Sequence, residues 1–326
     1  MPKPNRSAPP WPAHEADPGE EHVSADKVSP WWGWLGGLVS IGLIAAILMQ
    51  LNGATSDVLK MVARLPLGVW PTLLLLYLVQ PICDFAIFRR LWSLPFAGFA
   101  AILRKNVINE VVFGYSGEAY LYVWARRTAG AAIAPFRAIK DANIVSALMG
   151  NLATLILVAI SATRLRDLDL ARHLGPALWS GLIPLVISIG LLFFGRQVFS
   201  LRLRELTFVT GVHAVRLVTV SALTILIWRL SLPEVAPGVW VVLLAVRFLV
   251  SRIPFLTNKD FVFGNLMLLL LGVHSPIAVL LATLALATLA LHLSVIVVLG
   301  LFDLWRAVSS APANIPLHAN AGEAHD

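Results

Sequence analysis

Charge and sulfur are what this sequence has least of. Only 13% of its 326 residues are Asp, Glu, Lys or Arg, roughly half the ~25% of an ordinary globular domain. A chain that is 58% hydrophobic has too few polar side chains to cover a water-facing surface, which excludes a soluble enzyme and a nucleic-acid binder of the usual kind. The single cysteine, Cys83, excludes an intrachain disulfide and says nothing about redox compartment. Cofactor and metal motifs are missing too: there is no G-x-G-x-x-G, P-loop or H-E-x-x-H, and the G-x-S-x-G elbow is one residue short. Eight histidines without paired spacing make no zinc site. No cofactor and no metal is therefore expected.

What is present is apolar length. Mean hydropathy is +0.79, and several runs approach the ~20 residues needed to cross a bilayer core. The expectation is an all-α, polytopic integral membrane bundle of about eight segments, near 32–51, 67–88, 142–162, 177–195, 208–228, 237–251, 254–273 and 276–303, with one or two re-entrant or broken helices. The last of these carries Ala282, Ala285, Ala287 and Ala290, small residues suited to close helix packing. Trp31, Trp32, Trp34, Trp70, Trp179, Trp228, Trp240 and Trp305 fall near run ends, where indoles anchor at the interface. Residues 1–30, with seven prolines, read as a disordered cytoplasmic tail, 31–305 as the transmembrane domain, and 306–326 as a second tail.

The net charge of +7 acquires a membrane meaning. With the N-terminus inside, seventeen Lys and Arg fall on the inner side and six on the outer, Arg216 and Arg247 lying within spans. That bias puts both termini in the cytoplasm of an inner-membrane protein.

The stretch Asn106–Ala125 does not behave as a loop. It is apolar, yet carries Asn106, Asn109, Glu110 and Glu118, and lies between the basic pairs Arg104-Lys105 and Arg126-Arg127. Gly114-Tyr115-Ser116-Gly117 marks a break. The reading is a re-entrant hairpin, one half-helix ending near Phe113 and the next starting near Gly117 with Ser116 as its N-cap, whose free N–H groups suit a phosphate or carboxylate. The alternative is an amphipathic interfacial helix in which Glu110 pairs with Arg104 or Arg126. A second polar knot, Ser251–Asp260, is either a cytoplasmic loop or the start of a second broken helix that completes one site with the first. Ionisable residues inside apolar runs face the bundle interior; Asp84, Arg216 and Arg247 qualify, with His213 and His292 weaker.

These residues bring a family into view. Gly117-Glu118 after the basic stretch Arg104-Lys105-Asn106, and Arg252-Ile253-Pro254 as a late Ile-Pro element, resemble the transmembrane, flippase-like region of lysylphosphatidylglycerol synthases and its stand-alone relatives, over roughly residues 30–305. That family's Gly-Glu is followed within a turn by an arginine, where this chain has Leu121; its glycine-rich turn and Glu after Ile-Pro are replaced by Thr257-Asn258-Lys259-Asp260 and Gly264. The resemblance implies lipid translocation or support of envelope-lipid modification, without aminoacyl transfer.

The resulting expectation is a non-enzyme that translocates or presents an anionic lipid or lipid-linked envelope intermediate. Asn106, Asn109, Glu110, Tyr115, Ser116, Gly117, Glu118, Arg126, Arg216, Arg247 and Arg252 would contact the substrate, with Glu118 or Glu110 as proton-coupling carboxylate or counter-charge. Partners would be membrane lipids and an envelope-lipid modifying enzyme, not nucleic acid. Two alternatives stand beside it. One is a rhomboid-like intramembrane serine protease using Ser116 with His292, or His213 in reserve; the other is a noncatalytic scaffold for envelope-lipid enzymes.

Overall fold

The computed structural model describes residues 55–111, 115–129, 135–165, 199–253, 256 and 258–309. Among these every regular element is a helix: α1 (Thr55–Arg64), α2 (Val69–Trp92), α3 (Gly98–Val111), α4 (Ser116–Ala129), α5 (Pro135–Leu165), α6 (Leu203–Ser231), α7 (Pro237–Ser251), α8 (Lys259–Leu271) and α9 (Pro276–Ser309). The expected tails 1–30 and 310–326, the expected segments 32–51 and 177–195, Gly114 and Pro254 lie outside the described residues. The helix α9 continues through 306–309, where the tail was expected to begin.

Four helices are long and apolar enough to cross a membrane by length and composition: α2, Pro135–Ala162 of α5, α6, and Pro276–Trp305 of α9. The 24 residues of α2 reach about 36 Å at 1.5 Å per residue, against the ~30 Å of a bilayer core. The eight expected segments are thus not reached among the described residues. Segments 237–251 and 254–273 correspond to α7 and α8, of 15 and 13 residues, which extend only about 20 Å each. The pair α3 and α4, 14 residues each, has the same short reach.

Local chemistry sets the boundaries. At the end of α2, Ser93 takes a left-handed conformation with φ 57, and Pro95 follows two residues on, a normal helix stop. Pro237 occupies the first turn of α7, where its missing N–H costs nothing. Gly272, with φ 88, ends α8 in a conformation that side chains resist.

Contacts between the helices fix their directions. Arg90, ending α2, pairs with Glu205 of α6 at 3.1 Å; Lys140, beginning α5, donates to Ser200 at 3.1 Å; Arg104 of α3 pairs with Asp303 of α9 at 2.5 Å. The end of α2, the starts of α3, α5 and α6, and the end of α9 therefore share one end of the bundle, which also carries Arg89, Arg137, Arg202 and Arg204. From this basic end α3 runs inward and α4 returns. The pair α7–α8 does the same from the opposite end. Ser161 of α5 bonds the Val241 carbonyl at 3.4 Å, and the Arg252 guanidinium lies against Gly150, so α7 descends antiparallel to α5 and stops beside its middle.

The two halves consequently repeat one arrangement in opposite senses. In α2–α5 a long helix leads to a half-depth hairpin and a second long helix; α6–α9 repeats this from the other end. Each hairpin tip carries a left-handed residue just before its second helix, Tyr115 (φ 74) and Asn258 (φ 49).

Packing separates core from outer surface. Helix α7 is enclosed on all sides, with Trp240, Val242, Leu243, Leu244, Ala245 and Val246 no more than 1% exposed. Two expected interface anchors are therefore core residues: Trp228 and Trp240 are buried and their rings meet at 5.5 Å, because the short turn from α6 to α7 folds them inward. Trp70 and Trp305 are exposed near helix ends. Gly264 of α8 lets the α9 backbone approach, since a Cβ there would sit 3.2 Å from the Ala282 Cα and 3.4 Å from the Ala285 Cβ. Outward faces are apolar, with Leu75, Ile156, Val218, Val298 and Leu301 at least half exposed, the pattern of helices facing lipid rather than water.

Candidate functional site

The two hairpin tips meet. The backbone N–H of Asn258 donates to the Glu110 carbonyl at 3.0 Å, and the Glu110 carboxylate accepts from the backbone N–H of Lys259, in the first turn of α8. Polar groups of four long helices surround this junction and enclose a cavity of about 520 Å³.

Its depth follows from position along each helix. Arg216 lies thirteen residues past Leu203 and fifteen before Ser231, about 20 Å from either end of α6 at 1.5 Å per residue. Gln80, Ser146 and His292 lie similarly near the middle of α2, α5 and α9.

A hydrogen-bonded chain lines one wall. Arg216 donates to Gln80 Oε1 at 2.7 Å and to Ser146 Oγ at 3.0 Å. Gln80 donates to both Asp84 oxygens, at 3.2 and 3.1 Å. Lys105 Nζ donates to Asp84 Oδ2 at 2.6 Å, with both side chains nearly enclosed, and reaches Glu118 Oε1 at 3.6 Å. Asn109 then ties the hairpin, accepting from the Gly117 N–H at 2.7 Å and donating to Glu118 at 3.0 Å. Elsewhere in the lining Arg247 pairs with Asp260 at 2.7 Å, and the Tyr77 hydroxyl meets His292 Nδ1 at 3.1 Å.

Charge is unevenly matched. Cations lining the cavity are Lys105, Arg216, Arg247, Arg252 and Lys259; anions are Asp84, Glu110, Glu118 and Asp260. Lys105 is used by two carboxylates and Arg247 by Asp260. Among the described residues, Arg216, Arg252 and Lys259 have no carboxylate within 4 Å. Arg252 instead donates to Ser251 Oγ at 3.2 and 3.0 Å. Arg216 is buried and Arg252 and Lys259 are half-buried; shielded cations without counter-charges are costly, and an anion entering the cavity offsets that cost. Three further atoms of lining residues, Asn106 Nδ2, His213 Nδ1 and Glu118 Oε2, have no hydrogen-bond partner among the described residues; Nε2 of His213 donates to the Ala142 carbonyl at 3.2 Å.

Of the residues expected from sequence, Asn106, Asn109, Glu110, Tyr115, Glu118, Arg216, Arg247 and Arg252 line this one cavity. Ser116 and Gly117 are not among its lining residues; Gly117 shapes the hairpin behind it. Arg126 also lies elsewhere, exposed toward the end of α4 and bonded to the Tyr122 hydroxyl at 3.1 Å, because α4 carries it back toward the basic end. Glu110 pairs with neither Arg104 nor Arg126, since its end of α3 points inward. Lys105 and Lys259, which the sequence assigns to the cytoplasmic side with no part in the site, also face the cavity.

Tyr77, Gln80 and Ser146 line the cavity without being among the residues expected from sequence. A usable signal existed in Gln80-Pro81 and Asp84, polar groups one turn apart in an otherwise apolar run. No group of three or more His, Cys, Asp or Glu able to hold a metal occurs among the described residues. Comparison with protein families, with curated proteins and with solved structures finds no match for this chain.

Proposed function

We propose that this helical membrane protein binds the head group of an anionic lipid or lipid-linked intermediate in the mid-depth cavity, moving it between leaflets or presenting it to a membrane enzyme. The observation that carries the reading is the trio Arg216, Arg252 and Lys259, three cavity-lining cations without a carboxylate partner among the described residues. Site-forming breaks at mid-membrane, built from two interrupted helix pairs of opposite orientation, are the usual architecture of carriers that expose one site to alternate sides. The outward apolar faces leave lipid tails a place beside the bundle. The resemblance to the flippase-like region of lysylphosphatidylglycerol synthases agrees with this reading and belongs to the same proposal.

Placement in a cell inner membrane with cytoplasmic termini is proposed from charge. Arg89, Arg90, Arg137, Lys140, Arg202 and Arg204 gather at the end of the bundle where α9 finishes, which the positive-inside rule assigns to the cytoplasm. The protease alternative has less support: His292 is engaged by Tyr77, His213 by Ala142, and Ser116 is outside the set of residues lining their cavity.

The test is translocation of fluorescent phosphatidylglycerol in reconstituted liposomes, comparing the natural chain with Arg252→Gln and Arg216→Gln at equal folded yield. Removal of an uncompensated cation is expected to slow transfer at least tenfold, about 1.4 kcal/mol, as charge-assisted bonds of ~1.5–3 kcal/mol are lost. Transfer at an unchanged rate in both variants contradicts the reading and favours a scaffold.

A further inference from the structure

Glu110 stands where an anion would. Its carboxylate takes the N–H of Lys259 at the first turn of α8, and its main-chain carbonyl takes the N–H of Asn258. The cavity's other carboxylates are committed elsewhere: Asp84 and Glu118 to Lys105, and Asp260 to Arg247. Glu110 alone among them has no side-chain cation within 4 Å among the described residues. The groups facing it are Lys259 and Asp260 of α8, Arg247 of α7 and Tyr77 of α2; Arg252 in the break, Glu118 of α4, Lys105 of α3 and Asp84 of α2 line other parts of the same cavity, and the Tyr77 hydroxyl is bonded to His292 of α9. Amides at the start of α8, the Lys259 ammonium and the Arg252 guanidinium form a cradle suited to a phosphate. In this structure the chain's own carboxylate occupies part of it.

We propose that Glu110 is a built-in substitute for the substrate anion, so that the head group and the Glu110 charge exclude one another and each anion bound takes up one proton. This rests on reading the cavity as an anion site. Two negative groups in one shielded cradle repel strongly. Protonation of Glu110 removes that repulsion and frees the Lys259 backbone N–H for the incoming anion, beside an ammonium that no carboxylate holds. The sequence left Glu110 and Glu118 as equal choices for a coupling carboxylate. Geometry separates them, since Glu118 is fixed by Lys105 and Asn109 as a counter-charge.

The sign is definite. Binding favours protonated Glu110, so apparent affinity is flat below the Glu110 pKa and falls about tenfold per pH unit above it, the slope for one linked proton. The test uses the full chain in phosphatidylcholine nanodiscs, titrated with dihexanoyl phosphatidylglycerol between pH 5 and 9. A parallel arm uses glycerophosphoglycerol, the same head group without tails, to separate lipid from soluble anion. Glu110→Gln is expected to bind at least as tightly as the natural chain at low pH and to lose the slope. If Glu110→Gln keeps the slope, titration of Lys259 is its source and the proposal is overturned. Binding by the natural chain with no pH dependence overturns it while leaving the anion site intact, and no binding of either probe at any pH overturns both. Should Glu110→Gln fold poorly, proton uptake by the natural chain in weak buffer decides: about one proton per lipid bound is expected, and none contradicts the coupling.

Discussion

Asp84→Leu is expected to lower the unfolding temperature of the purified chain by on the order of 5–10 °C, while Asp84→Leu with Lys105→Leu recovers most of the loss. Asp84 and Lys105 are about 95% enclosed and bonded at 2.6 Å. Removing one partner of such a pair leaves a buried charge, at a cost of ~3–5 kcal/mol. Glu118, 3.6 Å from Lys105 Nζ, retains part of the compensation and holds the effect toward the lower figure. Some 2–3 °C per kcal/mol converts that to the stated shift. Replacing both partners with apolar side chains removes the unpaired charge together with the desolvation cost, and such exchanges are often neutral. Thermal unfolding followed by tryptophan fluorescence reads all three proteins. A double variant no more stable than the single shows that Asp84 supports the fold through Gln80 and Arg216 and not through Lys105.

Gly117→Ala is expected to cost at least ~3 kcal/mol, the upper part of the overpacking range, and to abolish head-group binding with it. The added Cβ would overlap the Lys105 carbonyl oxygen and come within 2.8 Å of Asn109 Oδ1. A main-chain obstacle cannot rotate aside, so α4 must move away from α3. That movement breaks the bond from Gly117 N–H to Asn109, and Asn109 then no longer orients Glu118 beside Lys105. A control lies in α6, where Gly211→Ala meets nothing within 4 Å and gains the ~0.5–1 kcal/mol of helix preference for alanine. Unfolding and lipid binding measured together separate the two. Gly117→Ala as stable as the natural chain would contradict the tight crossing of α3 and α4.

Both hairpin breaks are legible in the amino-acid sequence because apolar surroundings make polar residues and glycine conspicuous. The reading ended one half-helix near Phe113 and started the next near Gly117; α3 ends at Val111 and α4 starts at Ser116. The knot 251–260 separates α7 from α8. Direction was not legible. A mostly apolar helix of 15 residues that crosses half the bundle reads like a short span, so Lys259 reads as a loop charge, whereas Arg252 stands among the residues expected at the site. Lys105 and Arg126 were both read as brackets of one segment, yet a hairpin turns one into the cavity and carries the other out. Trp228 and Trp240 illustrate the same difficulty, since a run end folded under its neighbour is core and not interface. The inverted arrangement is not legible in sequence because α2–α5 and α6–α9 repeat helix lengths and directions, with no fixed period of residue types. Gln80 and Ser146 become part of the site only once Arg216 is placed between them.

The most direct measurement is an electron cryo-microscopy structure of the chain in nanodiscs containing phosphatidylglycerol, at acidic and alkaline pH. An anion site between the hairpin tips requires phosphate density within hydrogen-bond reach of Arg252 and Lys259 at acidic pH, with the Glu110 carboxylate drawn away from the start of α8. Phosphatidylglycerol density confined to the bundle's outer surface under both conditions, with Glu110 still bonded to Lys259, would contradict it.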